Sequence, residues 1–86
     1  MARKTTAQMM RDWRLGAGLT QRELARRACV ARASISHVET GRTLPSIKFS
    51  QRIARALGAS LGTPVAVHDL FPATFKPLPS RLPQGK

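Results

Sequence analysis

The chain of 86 residues has one cysteine, no tyrosine and only four acidic side chains. A lone Cys29 excludes an intramolecular disulfide framework and any multi-cysteine zinc site. Aromatic residues make up 5% of the chain, too few for the stacking platform on a sheet by which RNA-binding modules hold bases. His37 and His68 are the only histidines, and the carboxylates Asp12, Glu23, Glu39 and Asp69 fall on separate segments. These groups compose no Ser–His–Asp, Cys–His or metal-ligand arrangement, and no glycine-rich loop follows a strand. The residues therefore do not build an enzyme, and they imply neither a metal nor a cofactor. The uncharged stretch Leu57–His68 is interrupted by Gly58, Gly62 and Pro64, which excludes a membrane span. The amino terminus is basic without the apolar segment of a signal peptide, which points to the cytoplasm.

What is present in excess is positive charge. Fifteen lysines and arginines give a formal charge of +11 and a sequence pI near 11.9. The 42% of apolar residues suffices for a folded core, so the chain is not a disordered polycation. Its length allows one small domain, burying roughly 60% of the unfolded surface. An acidic partner is the simplest use of such a charge, and nucleic acid is the commonest one. Residues 6–72 alone keep ten basic and four acidic side chains, a net +6, so the expected core is basic without its ends.

Periodicity predicts an all-α fold, a compact bundle of about five short helices, with almost no strand signal. Residues 1–5, with Arg3 and Lys4, read as a flexible basic arm. A first helix is expected from about Thr6 to Leu15, capped by Thr6, with Met10 and Trp13 on its core face and Gly16 and Gly18 ending it. Thr20 followed by Glu23 forms a capping box for a second helix, Gln21–Ala28, whose Leu24, Ala25 and Ala28 face inward. A third helix runs from about Arg32 to Thr40 with Ile35 and Val38 inward. A fourth opens at Pro45–Ser46, turns Ile47, Ile53, Ala54 and Leu57 to the core, and closes at Gly58. Val65–Phe71 makes a last short turn. Four prolines from Pro72 onward mark the end of the chain, 73–86, as a Pro-rich basic tail.

The informative spacing lies between Gln21 and Thr40. Two short helices joined by three residues must cross steeply, with a small residue, Ala25, where they pass closely. Val30, Ile35 and Val38 then seat the second of them on the core and leave its outer face free. Such a helix-turn-helix fits its second helix into the major groove of DNA.

These residues also resemble a known family. Gly18-Leu19-Thr20-Gln21, Glu23-Leu24-Ala25, Ile35-Ser36, Val38-Glu39, Gly41, Pro45-Ser46, Ile53-Ala54 and Ala56-Leu57-Gly58 follow one another in the order and spacing of the Cro/repressor-type (XRE-like) helix-turn-helix proteins. The resemblance covers about Thr6 to Gly58, and Asp69-Leu70-Phe71 is similar to the family's closing turn. It implies a lambda-repressor-like fold with residues 6–72 as the DNA-binding domain. It also implies that Arg32, Ala33, Ser36 and His37 face base edges. Arg32 suits a bidentate pair with guanine, and Ala33 suits contact with a thymine methyl. Gln21 is implied as a phosphate anchor at a helix terminus, with Arg22, Arg42 and Thr43 as further backbone contacts and Arg3 and Lys4 as an accessory arm. Arg14 and Glu39 match a pair that ties the first helix to the recognition helix.

Several positions carry two readings. His37 reads a base or faces phosphate and water, and Ser36 either reads or permits close approach. Cys29 stands where the family usually has glycine, and it reads as a small buried thiol ahead of a redox sensor. Ser50 replaces a large apolar residue; its neighbour Phe49 either swings into the core or stays exposed as a dimer contact. Arg26 and Arg27 lie within reach of Glu23 for helix-surface pairs. The function expected is a sequence-specific regulator of transcription, a repressor or autoregulator, binding a palindromic double-stranded operator as a homodimer. The alternative is an antitoxin-type protein whose tail neutralises a partner protein. Small proteins of this type resemble phage repressors, restriction–modification controllers and antitoxins, all bacterial or carried by phages and plasmids.

Overall fold

The computed structural model describes residues 4–72 and 74, and among these it is all-helical: α1 (Thr6–Gly16), α2 (Gln21–Ala28), α3 (Arg32–Glu39), α4 (Ile47–Leu61) and α5 (Val67–Leu70). Arg3 and residues 73 and 75–86, including nearly all of the expected tail, lie outside the described residues. No described helix is long and apolar enough to cross a membrane.

Local chemistry places the helix starts. Thr5, rather than Thr6, caps α1. Its hydroxyl accepts the Gln8 N–H at 3.1 Å while the Gln8 side chain accepts the Thr5 N–H at 2.8 Å. Thr6 was the expected cap, but a reciprocal box needs Gln or Glu three residues on, and only Thr5 has one. Thr20 and Glu23 make the same box on α2 at 3.0 and 2.9 Å. The Ser46 hydroxyl accepts the Phe49 N–H at 3.1 Å and opens α4. The third helix has no side-chain cap. Eight residues would not hold a helix alone, so α3 depends on what it packs against.

The helix ends differ more from expectation. Helix α2 closes on Cys29 in the left-handed conformation, φ 58° and ψ 44°, with Val30 N–H on the Ala25 carbonyl at 3.0 Å and Cys29 N–H on that of Arg26 at 3.3 Å. This is a Schellman closure carried by a residue with a Cβ, at a cost of about 1–2 kcal/mol. The thiol is exposed rather than buried, because the left-handed turn that reverses the chain directs the residue away from the core. Gly58 does not close α4; the helix continues to Leu61 and ends on Gly62 at φ 74°. A Cβ on Gly58 would stand 2.9 Å from the Thr63 carbonyl oxygen. Gly58 is thus the point where the returning chain crosses the helix, and α5 begins only at Val67.

The core is formed by Met10, Leu19, Leu24, Ile35, Val38, Ile53, Leu57, Leu70 and Phe71, with small residues between them. Trp13, Val30 and Phe49 pack against it half-buried. Ile47, expected to face inward, is 47% exposed. It lies in the first turn of α4, and Pro45 is the buried residue at that end. Ser50 sits wholly inside, and its hydroxyl has no hydrogen-bond partner among the described residues.

Two outcomes follow from these ends. Gly58→Ala should lower stability by about 1–3 kcal/mol, because the obstructing atom is backbone; urea unfolding followed by circular dichroism measures it. At Glu23, the Thr20 backbone N–H and then the Thr20 hydroxyl hold the carboxyl below its usual 4.5, against an opposing effect of burial and with lesser help from Arg27 and Arg26. Its contribution is therefore complete above 4.5 and is lost as pH falls through the lower folded value. Glu23→Gln keeps the box but cannot titrate, so its melting temperature should fall less steeply than that of wild type below pH 4.5.

Candidate nucleic-acid interface

Helix α3 is held by a buried ion pair. The Arg14 guanidinium from α1 donates to Glu39 at the end of α3 through Nε to Oε2 at 2.7 Å and Nη2 to Oε1 at 3.0 Å. Arg14 Nη1 donates to the Leu19 carbonyl at 2.9 Å, and the Gln21 amide donates to Glu39 Oε1 at 3.1 Å. The Glu39 side chain is 1% exposed and that of Arg14 12%. Three segments thus converge on one carboxylate: α1, the amino end of α2 and the carboxyl end of α3. A planar guanidinium fits this geometry because it offers two parallel donors to the acid and a third to the turn.

With α3 fixed from beneath, its other face is open. Arg32, Ala33 and His37 are exposed, and Ser36 is half-buried. Past the helix, Gly41 at φ 77° reverses the chain. Arg42 N–H donates to the His37 carbonyl at 2.9 Å, which folds the exposed Arg42 and Thr43 back beside α3. Gln21, Arg22 and Arg32 come together with Arg14 and Thr20 around one recess. His37 and Thr43 come together around another, with Phe49 in its wall. Gln21 is half-buried, and its side-chain amide donates one N–H to Glu39, which leaves its second amide N–H and its backbone N–H at the helix terminus for a phosphate. Lys4 pairs with Asp12 on α1, both side chains largely solvated, an interaction worth little.

The four carboxylates all have local uses. Asp12 faces Lys4 and Glu39 faces Arg14. Glu23 caps α2, and Asp69 accepts the Ala66 N–H at the start of α5 at 3.2 Å. Glu23 makes no contact ion pair with Arg26 or Arg27, which act on its carboxyl only at longer range. Among the described residues only Lys4 and Arg14 of the lysines and arginines are paired with a carboxylate. The remaining arginines and Lys48 leave the surface strongly positive.

A family model described as helix-turn-helix matches residues 10–63. The chain belongs to the helix-turn-helix family of transcriptional regulators. An HTH-type transcriptional regulator of Methanothermobacter thermautotrophicus is 50% identical to this regulator over 50 residues, spanning 58% of this chain and 72% of the relative. Another, of Archaeoglobus fulgidus, is 36% identical over 62 residues, spanning 72% and 80%. Among solved structures, a hypothetical transcription factor from Neisseria superposes with a TM-score of 0.64 at 33% identity, covering 77% of this chain and 69% of that one. A SinR protein/SinI protein complex superposes at 0.69 and 28% identity, covering 88% and 69%. The family's members regulate transcription and are not enzymes.

The helix-turn-helix regulator also carries a basic surface outside the motif. Lys48, Arg52 and Arg55 recur at spacings of four and three on α4, a stripe visible in the sequence but absent from the positions that the resemblance singles out.

Removing one partner of the buried pair leaves the other uncompensated. Arg14→Met should cost about 3–5 kcal/mol, whereas Arg14→Met with Glu39→Met should recover most of that loss. Chemical denaturation of the two variants and wild type measures the difference. A single variant as stable as the double would show that the pair does not anchor α3.

Proposed function

We propose that this regulator is a sequence-specific binder of double-stranded DNA, a repressor or autoregulator that occupies a palindromic operator as a homodimer. The observation that carries the reading is the solvent-facing side of α3, where Arg32 and Ala33 are exposed above a helix locked to the core by Glu39. In the proposed division of labour, Arg32, Ala33, Ser36 and His37 meet base edges in the major groove. Gln21, Arg22, Arg42 and Thr43 hold phosphates on either side, and Arg3 and Lys4 assist from the amino-terminal arm. A dimer would set two such helices one turn apart, about 34 Å, on one side of the duplex. Residues 6–72 are the proposed DNA-binding domain, with 1–5 and 73–86 as its basic extensions, acting in the cytoplasm.

A second reading has the support of one neighbour, whose solved structure is a complex of two proteins. In that reading a partner protein engages this regulator, with the tail at 73–86 as its binding segment.

Selection from random duplexes at about 150 mM salt, with wild type and Arg32→Ala, tests the first reading. Wild type should yield a twofold-symmetric consensus. The variant should lose about 1–3 kcal/mol of preference at one base pair of each half-site and keep the others. Binding with no consensus, collapsing as salt rises, would leave charge acting alone.

A further inference from the structure

A second concentration of positive charge lies where the end of α2 meets α4. Arg27 from α2 and Lys48, Arg52 and Arg55 from α4 surround a cleft of about 440 Å³, with Cys29 and Gln51 in its wall. None of the four cations pairs with a carboxylate among the described residues. Arg52 Nη1 donates to the Cys29 carbonyl at 3.0 Å, and Arg27 Nη1 donates to the Ser60 hydroxyl at 2.9 Å. Two guanidinium groups are thereby held in place by neutral partners that leave their charge uncompensated. Like charges gathered around one recess repel each other, and an anion relieves that repulsion.

The lining indicates which anion. A protein segment is usually anchored by a large apolar or aromatic side chain in a desolvated pocket, and this wall offers no large apolar residue. A nucleic-acid strand held through its phosphates needs only cations and amide donors, which is what the cleft presents. The cleft also adjoins the recognition helix, since Cys29 is the turn residue three positions before Arg32, where α3 begins. We infer that this cleft takes a phosphodiester strand of the same DNA whose groove α3 enters, gripping the backbone by charge without reading bases. The inference rests on the DNA-binding reading above and assigns Arg27, Lys48, Arg52 and Arg55 to the phosphate backbone.

The test uses the full chain, a duplex carrying the consensus that wild type selects, and the double variant Lys48→Ala/Arg55→Ala. Both positions are exposed, and circular dichroism melting checks the fold. The slope of log affinity against log salt should become shallower by about 2, because each phosphate that is no longer neutralised removes roughly 0.9, while the selected consensus stays the same. Cys29, the chain's single thiol, supplies a readout that needs no variant. Bound duplex should protect it from alkylation by iodoacetamide, and free protein should react. An unchanged salt slope in a folded variant, or a Cys29 that reacts equally fast with and without duplex, would overturn the inference. So would a variant that binds duplex like wild type but loses binding to poly-glutamate, which would assign the cleft to an acidic protein. If wild type selects no duplex, the parent reading fails, and that result appears before any variant is made.

Discussion

Everything this chain presents to a partner depends on how one carboxylate is satisfied. Glu39 lies at the end of an eight-residue helix that has no side-chain cap, and it is almost wholly withdrawn from water. Left unpaired there it would cost several kcal/mol, of order 3–5, so its oxygens dictate where α3 can sit. Arg14 reaches it from α1 and Gln21 from the start of α2. The same guanidinium also closes the turn through the Leu19 carbonyl. Ile35 and Val38 supply the apolar half of the attachment. Hydrophobic packing alone tolerates sliding and rotation, whereas a bidentate ion pair admits one orientation. Helix α3 is therefore aimed by electrostatics and held down by packing.

The same economy of acid explains the surface. A basic protein could place its few carboxylates among the arginines and blunt its own field. Here each acidic group is taken up by local structure: two by ion pairs within or beside α1 and two by helix starts. The arginines of α2, α3 and α4 are left to solvent and to whatever polyanion approaches. All but Arg26 fall into two groups, one around Gln21 and Arg32 and one around the cleft beside Cys29. Cys29 itself shows how far the turn geometry is constrained. The chain keeps a left-handed closure with a residue that resists it, because reversing between α2 and α3 in three residues leaves few alternatives.

The signals legible along the chain are those that act over one turn of helix. The capping box at Thr20–Glu23, the small Ala25 and the inward Ile35 and Val38 place α2 and α3 within a residue of their observed limits. Expectation and structure part where the path of the chain around a helix end decides. Gly58 looks like a helix stop by composition, yet it is interior because Thr63 passes over it. Ile47 keeps the period of the buried face, yet it lies in the first turn of the helix, where Pro45 is the buried residue. Cys29 is apolar enough to suggest burial, but its backbone conformation turns it outward. The basic stripe on α4 is present in plain spacing, and its meaning depends on α2 lying beside it.

By itself, then, the sequence determined the helical class, the order of the elements, the helix-turn-helix spacing and the excess of positive charge. These follow from periodicity, capping and composition, which are properties of neighbouring residues. Only the tertiary structure decided that Glu39 is buried, with both oxygens engaged, that Gln21 has its amide committed inward, and that four cations from two helices share one cleft. Those facts arise from side chains far apart in the chain, whose meeting depends on the packing angles of whole helices. Burial then lowers the local dielectric and makes their charges consequential.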